Sequence, residues 1–516
     1  MARITDTIHA KQVLSKGHSL LVRGSNRCPG TEVLRLRHGR DILDRVMERI
    51  MSPSRGKKPK GSSADGLAVE MLSAISSRRM AAIIARSSAR FQEVEPVVRR
   101  VIDEVRSKGD SALLLYTRLF DKVSLSKRRI LVTPRDISAA RRLVSRREPA
   151  LIPAIRQSLE CIRGYHIAEL SQLKSGLKPW QRTVSSRRWK TSAKLKVGQI
   201  RSPIERIGVY VPGGNAILLT TALMAVTPAR VAGVKEIIVA SPPSRNGDID
   251  PRILVAADLA GATGIIRAGG AQAIAAMAYG TDSVPRVHKI VGPGNVFVAA
   301  AKAHVAGMGA CAIDLPAGPS EIVIIADGSA NADYIARDML SQSEHDPDAS
   351  AVLVTTSRRI ADAVLKRIRA EFGQSGKRGA QRSTAERALA GYGAILVADT
   401  IKEAVQFAND FAPEHLEIMT KNPKQILRSV RNAGGIFLGN YSPVAVGDYV
   451  CPNHILPTGG AARFTSGLSV DTFLKKPSTL EVPKALMPTL NKLISVLSKA
   501  EGLYEQHGKS VEVRAR

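Results

Sequence analysis

The chain has 516 residues, too many for one simple core, and 44% of them are hydrophobic, enough for two or more globular units. Aromatics make up only 4%, a balance that favours α/β layers over a β-sandwich, and no apolar run approaches the roughly 18 residues of a membrane span. The net charge of +31 lies mostly in residues 1–200, which hold 42 Lys+Arg against 17 Asp+Glu, while the remaining 316 residues hold 34 against 28. This basic part has no zinc-finger spacing, aromatic interleaving or helix-turn-helix pattern, so a solvated surface is expected there rather than a nucleic-acid site. Cys28, Cys161, Cys311 and Cys451 are scattered without a C-x-x-C, which fits a reducing, cytoplasmic setting rather than a disulfide framework.

Residues 1–70 read as a basic, poorly ordered extension. Its Met51-Ser-Pro-Ser-Arg-Gly-Lys-Lys-Pro-Lys-Gly-Ser-Ser stretch buries too little apolar surface to offset chain entropy. It lacks the compact apolar stretch of a secretory signal; an organelle transit peptide and a true start at Met51, Met71 or Met80 both stay open. From about 95 to 175 the pattern is helical, with Val97, Val98, Val101, Ile102 and Val105 at helical spacing. Lys108-Gly-Asp110 ends one helix and starts another. Residues 181–200 are expected to form a strand pair or loop.

After Arg206 the texture changes. Strands are expected at 207–211, 236–240, 264–268 and 289–291, with helices at 220–231, 251–261 and 272–279 between them. A second set begins with a strand at 321–326 and continues through a helix after Asn331 to a strand at 351–355. Strands and helices alternating at this spacing imply parallel sheets of βαβ units. Ligands of such sheets bind at Gly-rich turns beyond the strand ends. Three turns qualify, Tyr210-Val-Pro-Gly-Gly214, Gly269-Gly-Ala-Gln272 and Gly292-Pro-Gly-Asn295, although ordinary strand-to-helix turns explain them equally well. No G-x-G-x-x-G opens the first helix.

Residues 333–345 read as a helix with Ile335, Ala336, Met339 and Leu340 toward the core, stopped before Pro347. Gln342 and His345, three apart, share one face at its end. They can chelate a metal ion, or His345 can simply cap the last turn. Asp448 and His454 lie in Gly/Pro-rich sequence read as loops, and His507 is near the C-terminus. A Gln/His/Asp/His set offers two imidazoles and two oxygens, which suits zinc. Phe411-Ala-Pro-Glu-His-Leu-Glu-Ile418 places Glu414 and His415 together. To serve one site both must sit in the turn before a strand at 416–419, because neighbours in a strand face opposite ways. His415 could then act as a base and Glu414 could activate water. A strand-start Glu with a surface His is the alternative.

These motifs together resemble the histidinol dehydrogenase family. The matching strings are Ile207-Gly-Val-Tyr-Val-Pro-Gly-Gly214, Gly269-Gly-Ala-Gln-Ala-Ile274, Val291-Gly-Pro-Gly-Asn295, Ala317-Gly-Pro-Ser-Glu321, Ser341-Gln-Ser-Glu-His345, Ala412-Pro-Glu-His-Leu416, Val446-Gly-Asp-Tyr449 and Asn453-His-Ile-Leu-Pro-Thr458. The resemblance implies an α/β fold of two Rossmann-like parallel-sheet domains, an aldehyde-dehydrogenase-like superfamily architecture, with a small C-terminal dimerisation segment. It divides the chain into residues 71–209 with 321–465, residues 210–320, and residues 466–516. It implies zinc, one per subunit, on Gln342, His345, Asp448 and His507. NAD would contact Tyr210, Gln272 and Asn295. Ser320 would bind substrate, and Glu501 and His507 would come from the partner of an intertwined homodimer. Glu414 and His415 would be the acid–base pair, and the reaction would take L-histidinol with two NAD to L-histidine. A paralogue oxidising another amino or sulfonated alcohol is the alternative within enzymes. Against the family's usual spacing, Asp448 to His454 is one residue short and Glu501 to His507 one residue long.

Overall fold

The computed structural model describes residues 67–85, 91–173, 180–189, 191–213, 217–315, 318–375 and 383–516, which fall within one compact unit, Pro59–Arg516. The strands are β1 (Val69–Met71), β2 (Trp180–Val184), β3 (Leu195–Gln199), β4 (Ser202–Pro203), β5 (Arg206–Tyr210), β6 (Glu236–Ser241), β7 (Gly264–Arg267) and β8 (Lys289–Val291). They continue with β9 (Ala312–Ile313), β10 (Glu321–Ala326), β11 (Ser350–Thr355), β12 (Ala394–Val397), β13 (His415–Met419), β14 (Gly435–Leu438), β15 (Leu474–Lys475) and β16 (Ser478–Glu481).

Two parallel sheets carry the fold. One has the order β7-β6-β5-β8-β9, the other β1-β12-β11-β10-β13-β14. In each, the chain winds outward one way and then the other, so the order reverses beside β5 and beside β10. The strands are near-continuous apolar runs because helices cover both faces; every residue of β10 and β11 is buried. The 181–200 region forms the expected strand pair, β2 antiparallel to β3, with β16 on its other side.

Helices appear where the periodicity placed them. Leu219–Ala232, Pro251–Ala260 and Gly270–Tyr279 connect the strands of the first sheet. The helix Ala332–Glu344 is capped by Asn331, whose side-chain oxygen accepts from the N–H groups of Asp333 and Tyr334, and it buries Ile335, Ala336, Met339 and Leu340.

Three expectations need correction. Residues 1–66 lie outside the described residues, but 67–70 are no extension: Leu67 is core and β1 pairs in parallel with β12. A chain begun at Met71 or Met80 would lack that strand. Asp448 lies not in a loop but on the helix Val444–Tyr449. His415 is the first residue of β13 rather than part of the preceding turn. The packing of the N-terminal helices also differs from the expected division. Phe91–Lys108 lies against the helices Gly270–Tyr279 and Val296–Gly307. Ala140, Val144, Ile155 and Ile162 share the core of the five-stranded sheet.

Candidate functional site

The Gly-rich turns converge at the carboxyl edge of the five-stranded sheet. Tyr210 ends β5 with its ring buried, and its phenol oxygen accepts from the Gly270 N–H at 3.1 Å. Burial pushes that phenol up to about 12. Gly213 and Gly269 both press on Pro242, where an added Cβ would meet its ring at 2.7 and 2.6 Å; Gly214 lies outside the described residues. Gly292 has φ +109° and a would-be Cβ 2.3 Å from the Tyr210 carbonyl, so only glycine fits there. Its N–H donates to Asp314 at 2.7 Å and its carbonyl accepts from Lys302 at 2.8 Å. Lys302 and Asp314 form a buried ion pair that pins the turn from both ends. Gly292→Ala is therefore expected to cost about 1–3 kcal/mol, read as a fall in Tm of several degrees; an unchanged Tm would show that the turn relaxes freely.

The expected cofactor contacts divide within this edge. Gln272 is wholly buried and donates to Asp121 at 3.2 Å, leaving its own carbonyl oxygen without a partner among the described residues. Burial pushes the Asp121 carboxyl up to about 6, against the hydrogen bonds it receives from Gln272 and the Gly269 backbone. Asn295 is exposed, and its side-chain oxygen caps the helix Val296–Gly307 by accepting from the N–H groups of Phe297 and Val298.

A second cluster lies at the opposite, amino edge of the six-stranded sheet, around the start of β10. Glu414 is buried and accepts from the Glu321 N–H at 2.9 Å. His415 is also buried, and its Nδ1 lies 3.0 Å from the Glu321 carbonyl oxygen. A carbonyl only accepts, so Nδ1 carries the hydrogen and Nε2 keeps a bare lone pair. That Nε2 has no partner among the described residues. Burial drives the imidazole down to about 3, with like charge from His454 and His345 adding to the effect. Burial also raises the Glu414 carboxyl well above its usual range. The two side chains thus meet on the backbone of one residue, Glu321, with the His415 Nδ1 3.6 Å from a Glu414 oxygen. The alternative of a surface histidine is excluded.

Loops tie into the same place. The Gly459 N–H donates to Glu321 at 2.9 Å. Ser320 is half-buried, and its carbonyl accepts from the Ser350 N–H. Gln342 is buried in the last turn of its helix and His345 caps the end, exposed. Burial pushes the Asp448 carboxyl up to about 6 and nearby His345 opposes it. The half-buried His454 donates from Nδ1 to the Asp448 carbonyl at 3.1 Å, and burial brings it down to about 4. His345 is thus near enough to Asp448 to act on it electrostatically, and Gln342 shares a helix face with His345; an amide, an imidazole and a carboxylate are donors that suit a divalent cation.

Glu501 and His507 do not join this cluster. Both are exposed, and among the described residues neither side chain makes a hydrogen bond or ion pair. Between them the chain winds through a π-helical turn, Tyr504–Gly508. Among the described residues no group of three His, Cys, Asp or Glu side chains could hold a metal ion. The expected ligands within one chain include only two of those types, His345 and Asp448, beside Gln342. Sequence reasoning missed Asp121, the Lys302–Asp314 pair, and Asp338 and Glu417. A lone acid within the apolar run of β13 was the signal for the last.

Two doubly wound sheets, with a glycine-lined carboxyl edge on one and a buried carboxyl–imidazole pair at the amino edge of the other, define an α/β enzyme. The family model described as histidinol dehydrogenase matches residues 84–515. A curated histidinol dehydrogenase of Geobacter sulfurreducens is 44% identical over 438 residues, 84% of this chain and 96% of that one. One of Methanococcus maripaludis is 41% identical over 448 residues, 86% of this chain and 99% of that one. The crystal structure of histidinol dehydrogenase from Elizabethkingia anophelis superposes with a TM-score of 0.76 at 35% identity, covering 87% of this chain and 97% of that one. The chain belongs to the histidinol dehydrogenase family.

Proposed function

We propose that this chain oxidises L-histidinol through L-histidinaldehyde to L-histidine, reducing two NAD, with one zinc per site in a cytoplasmic homodimer. The observation that carries the reading is His415, a buried neutral imidazole whose Nδ1 is fixed and whose Nε2 is bare, beside a carboxyl held up by burial. The curated relatives above are both named histidinol dehydrogenases, which favours this substrate over another amino or sulfonated alcohol. Among the described residues no helix is long and apolar enough to cross a membrane.

In this reading, Gln342, His345, Asp448 and a second subunit's His507 hold the zinc, which when bound supplies a template for the substrate's imidazole and amine. Tyr210, Gln272 and Asn295 border the NAD. Ser320 and the second subunit's Glu501 hydrogen-bond the substrate. His415 takes the hydroxyl proton at Nε2 in the alcohol half. Glu414 takes a proton from water as it adds to the aldehyde, a role its raised pKa suits. The two-chain reading is supported by the C-terminal helix Met487–Ala500. It exposes Leu493, Val496 and Leu497 on one face, with Leu503 and Val513 also exposed beyond it.

The test is a count of NADH formed per histidinol consumed. Two, lost on chelation and restored by zinc, is the expected result; one NADH with accumulating aldehyde, or indifference to chelator, would overturn the reading. Glu414→Gln is expected to slow aldehyde oxidation by about 10²-fold or more and alcohol oxidation much less, measured by supplying histidinaldehyde directly. Equal slowing of both halves would remove the water-activating role from Glu414.

A further inference from the structure

Below the proposed metal ligands lies a second acidic pair that no step above uses. Asp338, Gln342 and His345 fall at i, i+4 and i+7 of one helix, a single stripe. Val444 and Asp448 fall at i and i+4 of the next helix that matters, Val444–Tyr449. Glu417 stands two residues beyond His415 in β13, hence on the same side of the sheet, and is buried between Leu416 and Ile418 as the strand's only acid. One of its oxygens accepts from the Val444 N–H at 3.0 Å. Its other oxygen is buried and receives no hydrogen bond among the described residues, and the half-buried Asp338 carboxyl is the charged group acting on it. Glu417 is therefore at the foot of both stripes, joining the helix of Gln342 and His345, the helix of Asp448 and the strand of His415.

Two carboxylates cannot both stay ionised in contact inside a core, because mutual repulsion adds to the cost of desolvation. A single proton between them turns the repulsion into an O–H···O bond to a charged acceptor. We propose that Asp338 and Glu417 are positioning residues that, by sharing one proton, lock the two ligand-bearing helices onto the strand that carries His415. The direction of both titrations agrees: burial raises Glu417 well above its usual range, with Asp338 adding to it, and brings Asp338 to about 6. Among the described residues no other charged group acts on either carboxyl.

The role as a support for metal ligands rests on the functional reading above; the shared proton does not. Glu417→Gln keeps an oxygen for Val444 and offers an N–H to Asp338, so it should reproduce the locked form without needing a proton. Glu417→Leu keeps the volume but breaks both links. The carboxyls' raised pKa values mean that the folded wild type binds more protons than the unfolded chain above pH about 4.5. Its stability should therefore fall as pH rises from there through the folded values, then level off.

The experiment measures zinc retained per full-length chain after dialysis, kcat and KM, and Tm from pH 5 to 8.5. Glu417→Gln should retain zinc and kcat, and its Tm should gain on the wild type by at least about 2–4 °C between pH 5 and pH 8. Glu417→Leu should bind zinc roughly 10–100-fold more weakly. Asp338→Asn provides a second variant that keeps the bond, and should behave like Glu417→Gln. Zinc binding by Glu417→Leu equal to wild type would overturn the positioning role. A Glu417→Gln curve parallel to the wild type across this pH range would overturn the shared proton. A wild type that binds no zinc would sink the functional reading alone, and the Tm comparison would still decide the proton.

Discussion

His415→Asn is expected to lower kcat for histidinol by about 10²–10⁴-fold, the usual worth of a positioned general base, while leaving zinc content and Tm close to wild type. Asparagine is chosen because its side-chain N–H can replace Nδ1 as the donor to the Glu321 carbonyl, so the amino edge of the sheet keeps its bond. What it lacks is the basic lone pair that Nε2 presents. A loss confined to kcat would place the effect in the chemical step; a loss of zinc, or a rise in KM alone, would make His415 a structural or binding residue instead. The wild-type pH profile carries a linked expectation. Because burial takes His415 from 6.5 down to about 3, its ring stays neutral through the working range, so kcat/KM should show no inflection from this group near 6.5. The same depression makes the unfolded chain the better proton binder between those values. Its contribution to stability is therefore full above about pH 6.5 and is lost as pH falls toward 3.

Four strands of the first sheet and β10, β11 and β13 of the second were legible because fully buried parallel strands are continuous apolar runs, as β10 and β11 show directly, whereas β12 and β14 were not read. The helix bearing Gln342 and His345 was legible for the complementary reason, since half of it faces solvent and its apolar positions recur at helical spacing. β1 was hidden, since three residues at the end of a basic stretch become a strand only by pairing with β12, more than three hundred residues away. The helix Val444–Tyr449 was hidden too. It has six residues, follows Pro443, contains Gly447 and precedes Pro452, so local rules read it as loop while tertiary contacts hold it in place. The meeting of Glu414 and His415 at Glu321 was not legible at all, because the parallel pairing of β13 with β10 puts it there. Nor could sequence say which edge of each sheet matters. At the carboxyl edge of the six-stranded sheet, beside the reversal where α/β ligands commonly bind, Asp327 accepts from the Lys421 N–H at 2.9 Å and from Ser329. The chain thus gives its own carboxylate to donors an anion would use, and the buried Glu414–His415 pair sits at the other edge.

Co-producing His507→Ala and His415→Asn chains is expected to restore roughly a quarter of wild-type activity from two variants that are each nearly inactive alone. The arithmetic follows from a site that draws Gln342, His345, Asp448 and His415 from one chain and His507 from the other. In a mixed dimer, the His507→Ala chain keeps its own His415 and borrows an intact His507, so one of the two sites is whole. The other site carries both defects. Random pairing makes half of the dimers mixed, and half of their sites work. The structure motivates this division, because His507 is exposed and its side chain makes no hydrogen bond or ion pair among the described residues, while His345 acts electrostatically on Asp448. His507 lies within the π-helical turn Tyr504–Gly508 and is exposed, so a neighbouring chain can reach it without rearranging this one. Zinc content should settle at about half a zinc per chain, between the low value of His507→Ala alone and the near-full value of His415→Asn alone, because only a site facing an intact His507 holds the ion. If the mixed preparation stays inactive while native mass measurement shows that mixed dimers formed, His507 serves its own chain, and the segment must fold back onto the amino edge of the sheet to do so.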